Sequence, residues 1–454
     1  MSTNIQKNQI TEGIIWRQLL LFFFPILLGT FFQQLYNTID SVIVGQFVGK
    51  EALAAVGGSS AQIVAFVVGF FTGLSSGASV TIAQFFGAKD SRSANKGLHT
   101  AYAIAAFGGL ILTVSGIILT PFLLEMMNTP ADIVADSAVY LRIYFAGIIF
   151  VLIYNMGSAI LRATGDSKRP LYYLIVCCII NIVLDVLFVI VFHMGVMGVA
   201  VATLIAQAVS AVLVTLKLMR SEGILKLSVK QIRFHGSILK MQLKLGLPTG
   251  FEAILFSITN IAIQSAVNTF GTDTTAAWSA YGKLDAIFWM VSTAFGIAIT
   301  TFVGQNYGAG KMDRVRKSTR VCLLMDFIVS AVLVVFLIAA RFLLFRLFTN
   351  DSHVIEIGCD MLVLITPWYI VYVFIEVIAG ALRGVGNVVV PVAITLLGVC
   401  VLRIAWLAAM LKISPTISAI ILSYPVTWVI TALAFIIYYI YTVSYTHLTL
   451  PTTS

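Results

Sequence analysis

The sequence predicts an all-α polytopic membrane protein of about twelve transmembrane helices, arranged as two six-helix lobes related by a pseudo-two-fold axis along the membrane normal. Three observations carry this prediction. The 454 residues are 59% AVILMFWYC and only 10% DEKR, with a mean hydropathy of +1.00. Soluble domains are about 45–50% apolar and about 25% charged, so this chain has too few polar residues to cover a water-facing surface. Apolar runs of the roughly 20 residues that cross a bilayer recur along the whole length, and two separate motifs repeat at one shift of 221 residues.

The runs place helices near 14–36, 52–77, 95–120, 133–160, 170–192, 196–219, 241–267, 277–302, 318–340, 356–381, 388–411 and 416–442. The opening MSTNIQKNQITEG leads straight into the first run with no small-residue cleavage site, so the first helix is expected to stay in the mature protein. Lysine and arginine accumulate on the cytoplasmic side of membrane proteins. Here they crowd the N-terminus and the even-numbered loops, while the odd-numbered loops hold only Lys50, Arg341, Arg346 and Lys412. Both termini are therefore expected in the cytoplasm. The net charge of +9 is absorbed by this topology signal, and no basic face for nucleic acid is expected.

The internal repeat fixes the domain plan. Leu161, Arg162, Gly165 and Pro170 of LRATGDSKRP recur as Leu382, Arg383, Gly386 and Pro391 of LRGVGNVVVP. At the same shift Gln84, Gly87 and Ala88 meet Gln305, Gly308 and Ala309. A duplicated unit of six helices crosses the membrane an even number of times, so both copies enter from the same side. The expected division is 1–219 for the first lobe, 220–245 for a basic cytoplasmic linker and 246–443 for the second lobe. The Thr-rich 444–454 has no partner in the repeat and reads as a non-native or disordered tail.

Several chemistries are excluded. GQNYGAGK lacks the Gly and the Ser/Thr that a phosphate-binding loop requires, since Gln305 and Met312 stand in their places. Both copies of that loop read as helix C-caps with a left-handed glycine. His99, His193, His235, His353 and His447 are scattered, and Cys177, Cys178, Cys322, Cys359 and Cys400 sit in apolar stretches without metal-ligand spacing. No nucleophile setting of the GxSxG kind is present. No enzyme activity, metal centre or cofactor is expected. Gly69, Gly73 and Gly77 form a smooth stripe that reads as a close helix crossing.

Intramembrane carboxylates remain, each costing about 2.5–3.5 kcal/mol at the centre of a span. Asp40 lies toward the end of the first helix in QQLYNTIDSVIVG, and Asp185 is embedded in CCIINIVLDVLFVIVF with Asn181 one turn earlier on the same face. If Asp40 approaches Asp185, the pair can share a proton. Alternatively the two carboxylates, the Asn181 amide and the Thr203 hydroxyl supply oxygens for Na+. The second lobe offers Glu252, Lys283, Asp285 and Glu376. Lys283 and Asp285 are two apart and face different ways, so one needs an interhelical partner. A structural salt bridge and a transport role stay open for this group.

Taken together, the duplicated six-helix plan, Pro25, the run LYNTIDSVIVGQFVGKEALAAVG, the Gln-Gly-Ala loops and the repeated LRxxGxxxxxP resemble the multidrug and toxic compound extrusion (MATE) transporters, over residues 10 to 442. The resemblance implies export of amphiphilic organic cations by alternating access in exchange for H+ or Na+, with no other cofactor. It puts the cation-coupling residues on Asp40, Asn181, Asp185 and Thr203, and a conformational hinge on Pro25. Gln33, Gln34, Tyr36, Asn37 and Asn155 would line a substrate cavity. The expected partners are small organic cations and the lipid bilayer, with the chain as a monomer in the bacterial cytoplasmic membrane. A flippase for lipid-linked precursors is the nearest rival, and a passive channel or sensor the next.

Overall fold

The computed structural model describes residues 9–445. Of the expected tail, 446–454 lie outside the described residues, and Ser444 and Tyr445 complete the last helix. Twelve helices among the described residues are long and apolar enough to cross a membrane. They are α1 (Ile15–Phe47), α2 (Lys50–Gly87), α3 (Ser91–Met126), α4 (Val134–Ala163), α5 (Lys168–Val191), α6 (Gly195–Met219), α7 (Gly236–Asn268), α8 (Thr272–Gly308), α9 (Met312–Arg346), α10 (Ser352–Gly384), α11 (Val389–Ile413) and α12 (Ile417–Thr442). The described residues contain no strand. The chain is a multi-pass membrane protein.

Every expected span is present, and most run longer than their apolar core. The largest difference is α1, expected to stop near 36 and continuing to Phe47. Its polar stretch does not break the helix, and the hydroxyls of Thr38 and Ser41 bond back to the carbonyls of Gln34 and Asn37, at 2.8 and 3.0 Å. A hydropathy reading stops where a helix merely turns polar. Pro25 lies inside α1, which continues through it.

By compactness the chain divides into Leu21–Ala253 and a second unit of Met1–Leu20 with Ile254–Ser454. The divisions fall inside α1 and α7. In the first unit the core is built from Leu74, Ile82, Ala101, Ile148, Ile160 and Val214, and α4 is its most deeply buried span. Apolar side chains gain little by leaving lipid for a helical bundle, so contact depends on close packing. The glycine stripe supplies it: a Cβ at Gly73 would strike the backbone of Gly250, and one at Gly77 the backbone of Gln242 and Gly246. Gly69 makes only ordinary contact, with Ala253.

The linker of the first unit is fastened along the start of α3. Asn95 donates to the carbonyls of Ile224 and Lys226, both at 3.1 Å. His99 accepts the Ser228 amide at Nε2, 3.0 Å away, which leaves Nδ1 to carry the proton and donate to Asn95 O at 2.8 Å. In the second unit the core gathers around Phe288, Leu337, Leu362, Tyr369 and Trp428, with the rings of Phe288 and Tyr369 stacked at 3.9 Å. A short turn at Gln9–Glu12 is held there by Arg314, which donates to the carbonyls of Ile10 and Gly13, and by Lys311, which donates to Thr11 O at 3.0 Å.

The repeat is legible in backbone hydrogen bonds. After α2, Lys89 N donates to Phe86 O and Asp90 N to Phe85 O; after α8, Gly310 N donates to Tyr307 O and Lys311 N to Asn306 O. The turns after α4 and α10 match likewise, Gly165 to Arg162 and Asp166 to Leu161 against Gly386 to Arg383 and Asn387 to Leu382. These are the paired bonds of a left-handed C-terminal turn. The expected left-handed glycine is present in the second copy as Gly310 (φ 71°), whereas in the first copy the left-handed residue is Lys89 (φ 58°); Gly87 and Gly308 end their helices two residues earlier.

Candidate functional site

Three helices of the first unit each turn a pair of polar residues, spaced by four, toward one another. From α1 come Tyr36 and Asp40, from α5 Asn181 and Asp185, and from α6 Thr203 and Gln207; all six are buried. Residues four apart share a helix face, so the three helices meet along two rungs. On one rung the Gln207 amide donates to the Tyr36 hydroxyl at 3.3 Å. On the other, Thr203 donates to Asp40 Oδ2 at 3.4 Å and accepts from Asn181 Nδ2 at 3.5 Å. The carboxyl of Asp185 lies against that of Asp40. Directly after Asp185, α5 widens into a π-helical turn, Val186–Val191, a distortion that often accompanies functional positions.

This rung is short of donors. Asp40 Oδ1, Asn181 Oδ1 and both Asp185 oxygens are buried and find no hydrogen-bond partner, although a buried acceptor left unsatisfied costs about 1–3 kcal/mol and a charged one more. Asp185 is fully buried. Four buried oxygens without a donor, on residues of one rung, are complementary to one positive charge, either a proton held between carboxyls or a small hard cation. Tyr140 and Tyr144 of α4, stacked at 6.3 Å, stand beside the group.

Of the expected cavity residues, Tyr36 is buried, Asn155 is half-buried, and Gln33, Gln34 and Asn37 are exposed. Tyr36 is therefore tied into the bonded rung, and the polar exposed stripe of α1 belongs to Gln33, Gln34 and Asn37.

The second group of candidates separates. Lys283 is exposed, and Asp285 is the member with an interhelical partner: it accepts from Tyr369 of α10 at 2.5 Å, from Trp289 at 2.7 Å and from Tyr281 at 3.3 Å. Glu376 is held by Arg383 at 2.9 Å on the same helix and lies over Gly296, where a Cβ would collide with its carboxylate. Glu252 is buried on α7 and falls in the first compact unit, because the division of α7 comes after Ala253. These four residues do not form one cluster in the second unit.

Sequence reasoning missed three features. Gln207 was signalled only by its spacing of four from Thr203. Asp326 lies fully buried in the apolar run of α9, accepting from Ser330 at 3.2 Å while its other oxygen has no partner. Arg403 donates to the Thr427 hydroxyl at 3.0 Å and lies 4.0 Å from the centre of the Tyr424 ring. An arginine over an aromatic face keeps a favourable electrostatic partner without a counterion.

A family model described as MatE matches residues 25–187 and 248–408. The chain is 30% identical over 393 residues to the probable multidrug resistance protein YoeA of Bacillus subtilis, covering 85% of this chain and 84% of that one. It is 27% identical over 420 residues to the probable multidrug resistance protein NorM of Thermotoga maritima, covering 90% and 88%. Among solved structures, an outward-facing multidrug resistance MATE family transporter of the MOP superfamily superposes with a TM-score of 0.91 at 20% identity, over 99% of this chain and 100% of that one.

Proposed function

The chain belongs to the MATE family of transporters, and from that premise we propose that it is a secondary active antiporter, exporting amphiphilic, mostly cationic organic compounds in exchange for H+ or Na+ by alternating access. The observation that carries this reading is the donor-poor rung of Asp40, Asn181, Asp185 and Thr203. Its buried oxygens gain their missing partner when a monovalent cation binds and lose it when the cation leaves. A site that is costly when empty and satisfied when filled favours a different conformation in each state. The relatives named for multidrug resistance support the substrate class. One elementary charge crossing 100 mV supplies about 2.3 kcal/mol, enough for roughly fortyfold accumulation at about 1.4 kcal/mol per decade. In this reading no ATP is consumed.

The exposed polar stripe of Gln33, Gln34 and Asn37, with Asn155, would receive the substrate, and Pro25 would give α1 its freedom to bend, since a proline removes one helix hydrogen bond. The protein would act as a monomer in the bacterial cytoplasmic membrane with both termini inside. Reconstituted vesicles test the reading: a pH gradient and a sodium gradient are imposed separately while a fluorescent organic cation is followed. Uphill dye movement under one gradient is expected and identifies the ion. No response to either gradient overturns coupled antiport. A cysteine placed at Lys226 should be labelled only from the cytoplasmic side.

A further inference from the structure

Within the second unit, the end of α9 and the first turns of α10 enclose a cavity of about 780 Å³, a size typical of small-ligand sites. Four charges line it: Arg341 and Arg346 from α9, Glu356 and Asp360 from α10. Opposite charges facing one space at a membrane surface ordinarily close on each other. Among the described residues the ion pairs are Lys50–Glu51, Arg169–Asp166, Arg316–Asp313 and Arg383–Glu376, and none includes these four. Arg341 gives one donor to the Ile338 carbonyl at 2.7 Å and has four more. Glu356 and Asp360 are one helical turn apart and present their carboxylates on one face.

The cavity also has a depth. Leu364 stands eight residues beyond Glu356 on α10, which at 1.5 Å per residue is about 12 Å toward the middle of the bilayer. Past Asp360, halfway along that path, the wall turns apolar at Val363 and Leu364, and Val363 and Phe342 are exposed on it. The site therefore runs from headgroup depth, where the four charges are, into the hydrocarbon.

We propose that this cavity binds an aminophospholipid. Its phosphate lies between Arg341 and Arg346, its primary ammonium on Glu356 and Asp360, and an acyl chain along Phe342, Val363 and Leu364. An anionic lipid would satisfy the arginines and leave both carboxylates unmatched. A quaternary ammonium carries no N–H to donate to them and is better held by aromatic faces. A primary ammonium and a phosphate on one headgroup match both halves of the site. The site stands apart from the donor-poor rung of the first unit and does not rest on the coupling reading.

The test uses the full-length protein in mixed micelles containing phosphatidylethanolamine, phosphatidylcholine or phosphatidylglycerol, with retained lipid counted by native mass spectrometry. Wild type is expected to retain one phosphatidylethanolamine in about tenfold preference to the other two, the factor one lost charge-assisted contact represents. The double variant Arg341→Gln, Arg346→Gln should lose retention of all three. The double variant Glu356→Gln, Asp360→Asn should keep the phosphate end and change its preference to phosphatidylglycerol. All four side chains are partly or fully exposed, so unchanged melting is expected and is measured alongside. Equal retention of the three lipids by wild type, no retained lipid at all, or an unchanged preference in the carboxylate variant would overturn the proposal.

Discussion

The two embedded aspartates with the most contrasting surroundings are Asp185 in the first unit and Asp285 in the second. Asp285 is met by three donors, two phenols and an indole. Asp185 is met by none. Both lie on membrane-spanning helices, and what differs is the company around them: Tyr281 and Trp289, one turn to either side on its own helix, and Tyr369 from α10 all donate to Asp285. A carboxylate saturated by fixed donors is a structural part, comparable to a helix cap. One that faces another carboxylate has no resting partner, and its charge depends on what it binds. The contrast teaches that burial of an acid in a span is not by itself a sign of function; the tally of donors around it separates the two roles.

The largest expected effect tests this contrast directly. Asp185→Asn should abolish uphill dye transport in vesicles, while Asp285→Asn retains it in well-folded protein; equal loss in both would erase the distinction. The next effect is on stability. Arg383→Gln removes the charged partner of the half-buried Glu376, a contact to a charged group worth about 1.5–3 kcal/mol, and should lower the melting temperature in detergent. Smaller and of opposite sign across the two units, Tyr369→Phe should lose about 1–3 kcal/mol, whereas Asp185→Asn should melt at or above wild type because it removes an orphaned charge and brings a donor to Asp40. A Tyr369→Phe protein as stable as wild type would mean that the three donors around Asp285 are redundant.

The smallest effect concerns the linker. Burial, with Arg233 and Lys96 nearby, holds the His235 imidazole below its ordinary range, and its Nδ1 bonds to the Thr100 hydroxyl at 3.1 Å. A depressed histidine stabilises the docked form fully above its unfolded value of about 6.5 and loses that contribution as pH falls below it. Amide exchange across 224–235 should therefore quicken on acidification, and His235→Gln should blunt the change.

Much of the fold was legible because lipid imposes a simple rule: every span must be apolar, helical and long. The duplication was legible because two motifs shared one shift. Within the candidate site, the spacing of Asn181 and Asp185 on one helix face was readable, since it depends on a single helix. Gln207 bonding to Tyr36, Arg403 on Tyr424, and Tyr369 on Asp285 were not readable, because each joins residues on different helices whose register no single sequence reveals, whereas Tyr281 and Trp289 stand four residues to either side of Asp285 on its own helix. Asp326 went unnoticed for a plainer reason: its run is so apolar that it reads as an unremarked interior. The end of α1 was misjudged because a drop in hydropathy does not by itself end a helix, and Thr38 and Ser41 sit within the turns with their hydroxyls on the i−4 carbonyls.

The turns after α2 and α8, and after α4 and α10, keep the same backbone bonds at the 221-residue shift, and the acids do not follow them. At that shift Asp40 stands opposite Ile261, Asp185 opposite Trp406, Asp285 opposite Val64, Asp326 opposite Ala105 and Glu376 opposite Asn155. The turns are common to both halves, and none of these acids has an acidic counterpart in the other half. Duplication thus left two copies of a scaffold free to specialise, and the bends of the chain are what they still share.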